Sequence, residues 1–291
     1  MYQPKHEEVL ELLHGAYDLH THTAPDFYPR CLNDEELLDQ AEQYGLSGVM
    51  LKNHLDPTPA RAVLANETGK RKVKAYGGIV MNLSVGGLNP VAAHCALDLG
   101  AKVVWMPTVH ARNQIEYVRL DKFSEGKPGI RLLDEDGNLK PEVLEILELV
   151  KSYNATVATG HISLGESVAV CTAARKMGIK TVLTHPDWAC TTIPVEIQKK
   201  LVDMGVIVEK LWFDVGLNHV TAAYMAQTIR DLGVENCYLA TDRGQKNFEY
   251  PVEALMMFMD AMLDEGFSKE EVRIMTHDVP AFFAVCVRDG R

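Results

Sequence analysis

The strongest constraint on this chain is a repeated order of local patterns, since no residue motif repeats. A short apolar, β-branched run is followed by a longer helical pattern, a glycine, and the next run. Eight runs are read, near residues 16–20, 48–52, 73–81, 102–107, 156–160, 180–184, 206–209 and 237–240. Gly45, Gly100, Gly178, Gly205 and Gly233 stand where a helix can end in a left-handed C-cap. The next strand then starts at once, as in AEQYGLSGVML, ALDLGAKVVWM and ARKMGIKTVL. Strands joined through helices in this way form a parallel sheet with right-handed crossovers. Eight such units in 291 residues predict a single (β/α)8 TIM-type barrel over residues 1–291. An open doubly wound sheet fits less well, because no Gly-rich dinucleotide fingerprint follows the first strand and the Gly86–Gly87 pair stands alone. One interruption is expected. Residues 121–141 are polar, with Gly126, Pro128 and an Asp136-Gly137 turn, and read as a hairpin or loop inserted after the fourth strand.

Composition narrows the partners. Lys+Arg total 29 against 40 Asp+Glu, a formal charge of −11, which argues against a nucleic-acid backbone or an anionic membrane surface as partner. The six cysteines show no CxxC spacing and sit mostly in apolar runs, as small hydrophobes do in a reducing compartment. The first residues are polar and amphipathic, without the apolar core of a signal peptide, and no run reaches the length of a membrane span. A cytoplasmic protein acting on a small-molecule substrate is expected, and apolar helix faces would suit a homo-oligomer.

In a (β/α)8 barrel the chemistry lies at the carboxyl ends of the strands. The first strand ends Asp18-Leu19-His20-Thr21-His22, and side chains alternate along a strand, so His20 and His22 point the same way. The fifth ends at His161, the sixth at His185 and the eighth at Asp242. A lone HxH is a weak signal, and a single histidine at a strand end is usually a hydrogen-bonded structural residue. Four histidines and an aspartate on four strand ends of one rim are better explained as ligands of one or two divalent metal ions. Imidazole and carboxylate suit Zn²⁺ first, with Mn²⁺, Fe²⁺ or Ni²⁺ as alternatives.

This arrangement, HxH on strand one, His on five, His on six and Asp on eight, resembles the metal signature of the amidohydrolase superfamily. The resemblance covers nearly the whole chain. The tail 273–283 is similar to the helix that closes many of these barrels. More narrowly, DLHTHTAPDFYPR, LKNHLDPTPARA, VVWMPTV and TDRGQ…PVEAL resemble a poorly characterised, amidohydrolase-like branch. The resemblance implies metal-activated water attacking a C–N, C–O or P–O bond, although some members decarboxylate or isomerise.

The chain departs from the common binuclear pattern, in which strand four ends in a bridging carboxylated Lys or Glu. Here it ends Trp105-Met106-Pro107-Thr108. Strand two instead ends Leu51-Lys52-Asn53-His54, with Lys52 and His54 on one face beside the HxH pair. Lys52 is either a carboxylated metal ligand or an ammonium that grips a substrate anion. His54, Arg30 and His110 are candidate substrate contacts. Glu209, Asn82 and Arg243 are weaker ones, and Arg243 should face away if its strand continues.

The expected activity is a metal-dependent hydrolase acting on an amide, cyclic amide, lactone or ester of a small anionic molecule. His20, His22, His161 and Asp242 would hold the first metal. His185, with Lys52 and His54, would serve a second metal or the substrate. Asp242 is the expected general base, and His185, where it is not a ligand, would polarise the carbonyl. A mononuclear decarboxylase or other lyase, a phosphoesterase, and a catalytically silent metal-binding barrel are the alternatives.

Overall fold

The computed structural model describes residues 2–118, 126 and 128–284. Its strands are β1 (Tyr17–His22), β2 (Gly48–Lys52), β3 (Lys74–Val80), β4 (Val103–Trp105), β5 (Thr156–Ala158), β6 (Lys180–Leu183), β7 (Ile207–Leu211) and β8 (Cys237–Ala240). They pair in sequence order, all parallel, with helices between them. This is the expected (β/α)8 barrel. Gly45, Gly100, Gly178, Gly205 and Gly233 all have positive φ, as the helix ends require.

Strand residues alternate between two apolar layers. Met50, Val80, Trp105, Ala158, Val182, Leu211, Tyr238 and Ala240 form the barrel interior. Their neighbours Val49, Leu51, Val208 and Leu239 face the helices. Burial on both sides explains why the strands read as continuous apolar runs. The interior is sealed at the amino end by the last described helix, Val279–Ala284, whose Val279 and Phe283 join the interior cluster.

The ring closes between β1 and β8. Asp242 N–H donates to His20 O at 2.8 Å, and His22 N–H donates to Arg243 O at 2.8 Å. Asp18 reinforces the seam by accepting the Thr241 hydroxyl at 2.6 Å and the Thr241 N–H at 3.1 Å. A register shift on β1 between Asp18 and Thr21 leaves Leu19 in the interior while His20 and His22 both serve the mouth.

One local difference from expectation appears beyond β4. A helix, Arg112–Val118, follows the strand before the inserted stretch begins. Within the insertion, Leu133 and Leu139 form an antiparallel bridge around a turn at Gly137, where φ is +82°. Residues 119–125 and 127, which include part of the expected insertion, lie outside the described residues. Among the described residues no helix is long and apolar enough to cross a membrane.

The seam gives a stability prediction. Gly244 has φ +133°, and a Cβ there would fall 1.7 Å from the His22 carbonyl oxygen. Gly244→Ala should therefore cost about 3–5 kcal/mol in urea unfolding. Gly100→Ala, with φ +99° but nothing within 4 Å, should cost only about 1 kcal/mol. Equal losses at the two positions would contradict this account of barrel closure.

Candidate metal centre

Closing the ring brings β8 against β1, and the side chains that follow are buried at the mouth. His22 Nε2 lies 3.0 Å from Asp242 Oδ1, and His20 Nε2 lies 3.2 Å from the same oxygen. Among the described residues, His20, His22 and Asp242 offer ligand atoms within 4.8 Å of one another, a group that could hold a metal ion. His185 Nε2 is 3.4 Å from Asp242 Oδ2. His161 packs edge-on to His185 at 5.0 Å between ring centres. His185 and Asp242 both sit at positive φ, 52° and 51°. Non-glycine residues hold that conformation only where the surroundings enforce it.

The second contact of each imidazole sets its proton. His20 Nδ1–H donates to Glu209 on β7 at 3.1 Å, and its Nε2 faces Asp242 and Lys52. Glu209 in turn accepts the Tyr238 hydroxyl at 2.7 Å. His161 Nδ1–H donates to Gln114 from the helix after β4, and its buried Nε2 has no hydrogen-bond partner. A carboxylate or amide behind a histidine is the usual way a protein fixes the ligating nitrogen of a metal-bound imidazole.

These residues fit a divalent cation. Burial pushes His22, His54 and His161 well below the ordinary histidine range, and His185 down to about 3. Of their ring nitrogens, His161 Nε2 and His185 Nδ1 are buried without a hydrogen-bond partner. Burial alone would raise the Asp242 carboxyl, but His20, His22 and His185 around it outweigh this and hold it well below the usual range. His20 Nε2 lies 3.2 Å from an Asp242 oxygen and 2.8 Å from the Lys52 Nζ. A divalent cation there would take two imidazoles and a carboxylate as its donors.

The other predicted residues divide. Lys52 is buried, its ammonium donates to His20 Nε2, and burial lowers it to about 8 against the opposing pull of Asp242 and Glu209. His54 packs on His22 at 4.8 Å, and its Nδ1 meets Thr108 Oγ1 at 2.9 Å. Arg30 lines the cavity with its Nε and Nη2 on Asp26, and Nη2 reaches His22 Nδ1 at 3.2 Å. His110 does not line the cavity. Its Nδ1 accepts the Leu83 N–H at 3.2 Å, because the chain turns away after Thr108. Asn82 is likewise structural, tying His54 O to Thr108. Arg243 faces away from the cavity and pairs with Glu249 at 2.8 Å. Sequence reasoning missed Gln114, and also Trp188 and Phe213, which wall the cavity over the histidines.

The closed barrel carries histidines on β1 and after β5 and β6, and an aspartate after β8. The chain belongs to a family of unknown function, DUF6282, whose model matches residues 15–209. Solved structures share the fold at low identity. An amidohydrolase from Pseudomonas aeruginosa is 12% identical with a TM-score of 0.63, over 94% of this chain and 96% of that one. A protein assigned as a 2-pyrone-4,6-dicarboxylic acid hydrolase from Pseudomonas putida is 14% identical with a TM-score of 0.61, over 93% and 97%. A 2,6-dihydroxybenzoate decarboxylase from Rhizobium is 12% identical with a TM-score of 0.53, over 93% and 99%. No curated protein matches the sequence.

The His20–Glu209 pair generates a test. Glu209→Gln keeps the shape but weakens the acceptor that holds His20 Nδ1–H. Metal affinity, measured by competition with a chromogenic chelator, should fall about 10–100-fold. Unchanged affinity would show that Glu209 does not orient the ligand.

Proposed function

We propose that this protein is a metal-dependent hydrolase that cleaves a C–N or C–O bond of a small anionic molecule. The observation that carries the reading is the convergence of buried imidazoles, one with an unpartnered Nε2, on a buried carboxylate at the floor of a cavity. His20, His22 and Asp242 would hold a divalent ion, with His161 and His185 within reach, and the ligand types suit Zn²⁺. Such an ion acidifies water to a near-neutral pKa and polarises a carbonyl. Asp242, held ionised, accepts the proton of the attacking water and passes it to the leaving group. His185 faces the cavity beside Asp242 and is placed to bind the reacting carbonyl. Glu209 and Gln114 keep His20 and His161 in the tautomers that leave their Nε2 lone pairs inward.

Lys52 belongs to the metal side in this reading. It does not line the cavity, and its Nζ already touches a ligand nitrogen. An ammonium there would repel a dication. Reaction of the neutral amine with CO₂, forming an N–C bond and releasing one proton, gives a carbamate that can supply an oxygen ligand. A mononuclear decarboxylase on the same site is the second reading, favoured by the absence of any carboxylate or lysine at the end of β4.

Three substitutions test these roles. His20→Ala should abolish bound metal, read as metal per chain, and turnover on a panel of lactones, amides and esters, while the barrel stays folded by circular dichroism. Retained metal and activity would overturn the site. Asp242→Asn should slow turnover about 10²–10⁴-fold, and an unchanged rate with chemistry limiting would exclude it as the base. Lys52→Ala should lose metal and activity together, with bicarbonate speeding reconstitution of the wild type. Full metal occupancy in Lys52→Ala would place Lys52 with the substrate instead.

A further inference from the structure

The cavity above these histidines has a volume of about 500 Å³, enough for a one-ring molecule. Its walls are unusually flat and unsaturated. On one side Trp188 and Phe213 meet edge to face, 6.0 Å between ring centres. This wall continues into His161, 5.3 Å from Trp188, and His185, 5.7 Å from Phe213. Elsewhere in the lining Tyr28 lies 6.0 Å from His54, which packs on His22 and on His161. Phe248, 43% exposed, stands at the mouth. The aliphatic side chains in the lining are few, chiefly Val109 and Pro29.

The charge of the lining runs against that of the protein. In a chain of net charge −11, the cavity carries Arg30 and Lys246, and its one carboxylate, Asp242, is engaged by His20, His22 and His185. Arg30 is paired with Asp26. Lys246 has no ion pair among the described residues. It stands on a segment fixed at both sides, since its own N–H donates to Pro29 O at 3.3 Å and the Gln245 amide donates to Asp242 O at 2.8 Å. Lys246 is therefore an exposed cation in the cavity lining, carried on an anchored backbone.

We infer that the cavity takes a small planar acid, an aromatic or conjugated ring bearing a carboxylate. The ring lies between the Trp188–Phe213 wall and Tyr28, and the carboxylate meets Lys246. A conjugated ring gains offset or edge contacts with such walls beyond its buried area, which a saturated ring of the same size does not. This inference rests on the hydrolase reading of the same site and adds the substrate class to it.

The test measures binding of three probes to the full-length protein by calorimetry, both loaded with metal and stripped by chelator. Benzoate carries ring and charge, cyclohexanecarboxylate carries charge without the flat ring, and benzyl alcohol carries the ring without charge. Benzoate should bind about tenfold more tightly than either, roughly the 1.4 kcal/mol that one aromatic contact or one charge-assisted contact supplies. Trp188→Leu should erase the advantage over cyclohexanecarboxylate, and Lys246→Ala the advantage over benzyl alcohol. Equal affinity of the wild type for benzoate and cyclohexanecarboxylate would overturn the inference. So would preferences that survive both substitutions, or no benzoate binding up to about 10 mM. Because the preferences are also read in stripped protein, they can fail while metal binding and turnover stand, and the reverse.

Discussion

Everything at the mouth of this barrel depends on the seam between β1 and β8. Two backbone hydrogen bonds, from Asp242 to His20 and from His22 to Arg243, bring residues more than two hundred positions apart into register. Those bonds involve the same residues whose side chains form the candidate metal group. The geometry of the site is thus set by the closure of the sheet, and loop conformation has little part in it. Asp18 and Gly244 serve that closure in different ways. Asp18 supplies a buried acceptor for Thr241, and Gly244 leaves room for the His22 carbonyl. Placing a carboxylate on rigid strand ends beside two imidazoles is what preorganises the site.

The second constraint is electrostatic. A water-poor pocket strips protons from imidazoles and penalises an isolated carboxylate. Here both occur within 3.2 Å, with Lys52 and Glu209 close behind. Buried charges persist only when they are paired or hold an ion. Glu209 receives His20 and Tyr238, so it is partly satisfied without the ion. His161 and His185 are not satisfied in the same way, since His161 Nε2 and His185 Nδ1 have no hydrogen-bond partners. A divalent cation at Asp242 would balance this cluster.

The fold was legible because its signal is repetitive. β2 and β8 occupy the expected residues, and the other strands differ only at their ends. His20, His22, His161, His185 and Asp242 were legible for the same reason, since each terminates an apolar strand and the barrel sends strand ends to one rim. Residues supplied by loops were not. His110 and Asn82 lie just past strand ends, but the turn after Thr108 directs them to backbone contacts. Gln114 was hidden because the helix Arg112–Val118 carries no strong apolar period. Trp188 and Phe213 required knowing where two loops converge. Glu209 was legible only as a weak candidate substrate contact, whereas the register of β7 against β8 sets it against His20 Nδ1.

The central claim is that His20, His22 and Asp242 hold a divalent metal ion. The most direct measurement is an anomalous difference map from crystals of the wild-type protein, collected at the absorption edge of the metal found by elemental analysis. The account predicts a dominant peak about 2.0–2.2 Å from the Nε2 atoms of His20 and His22 and from an Asp242 oxygen. A map with no peak at these atoms, or with the metal held elsewhere while Lys52 remains bonded to His20 Nε2, would contradict it.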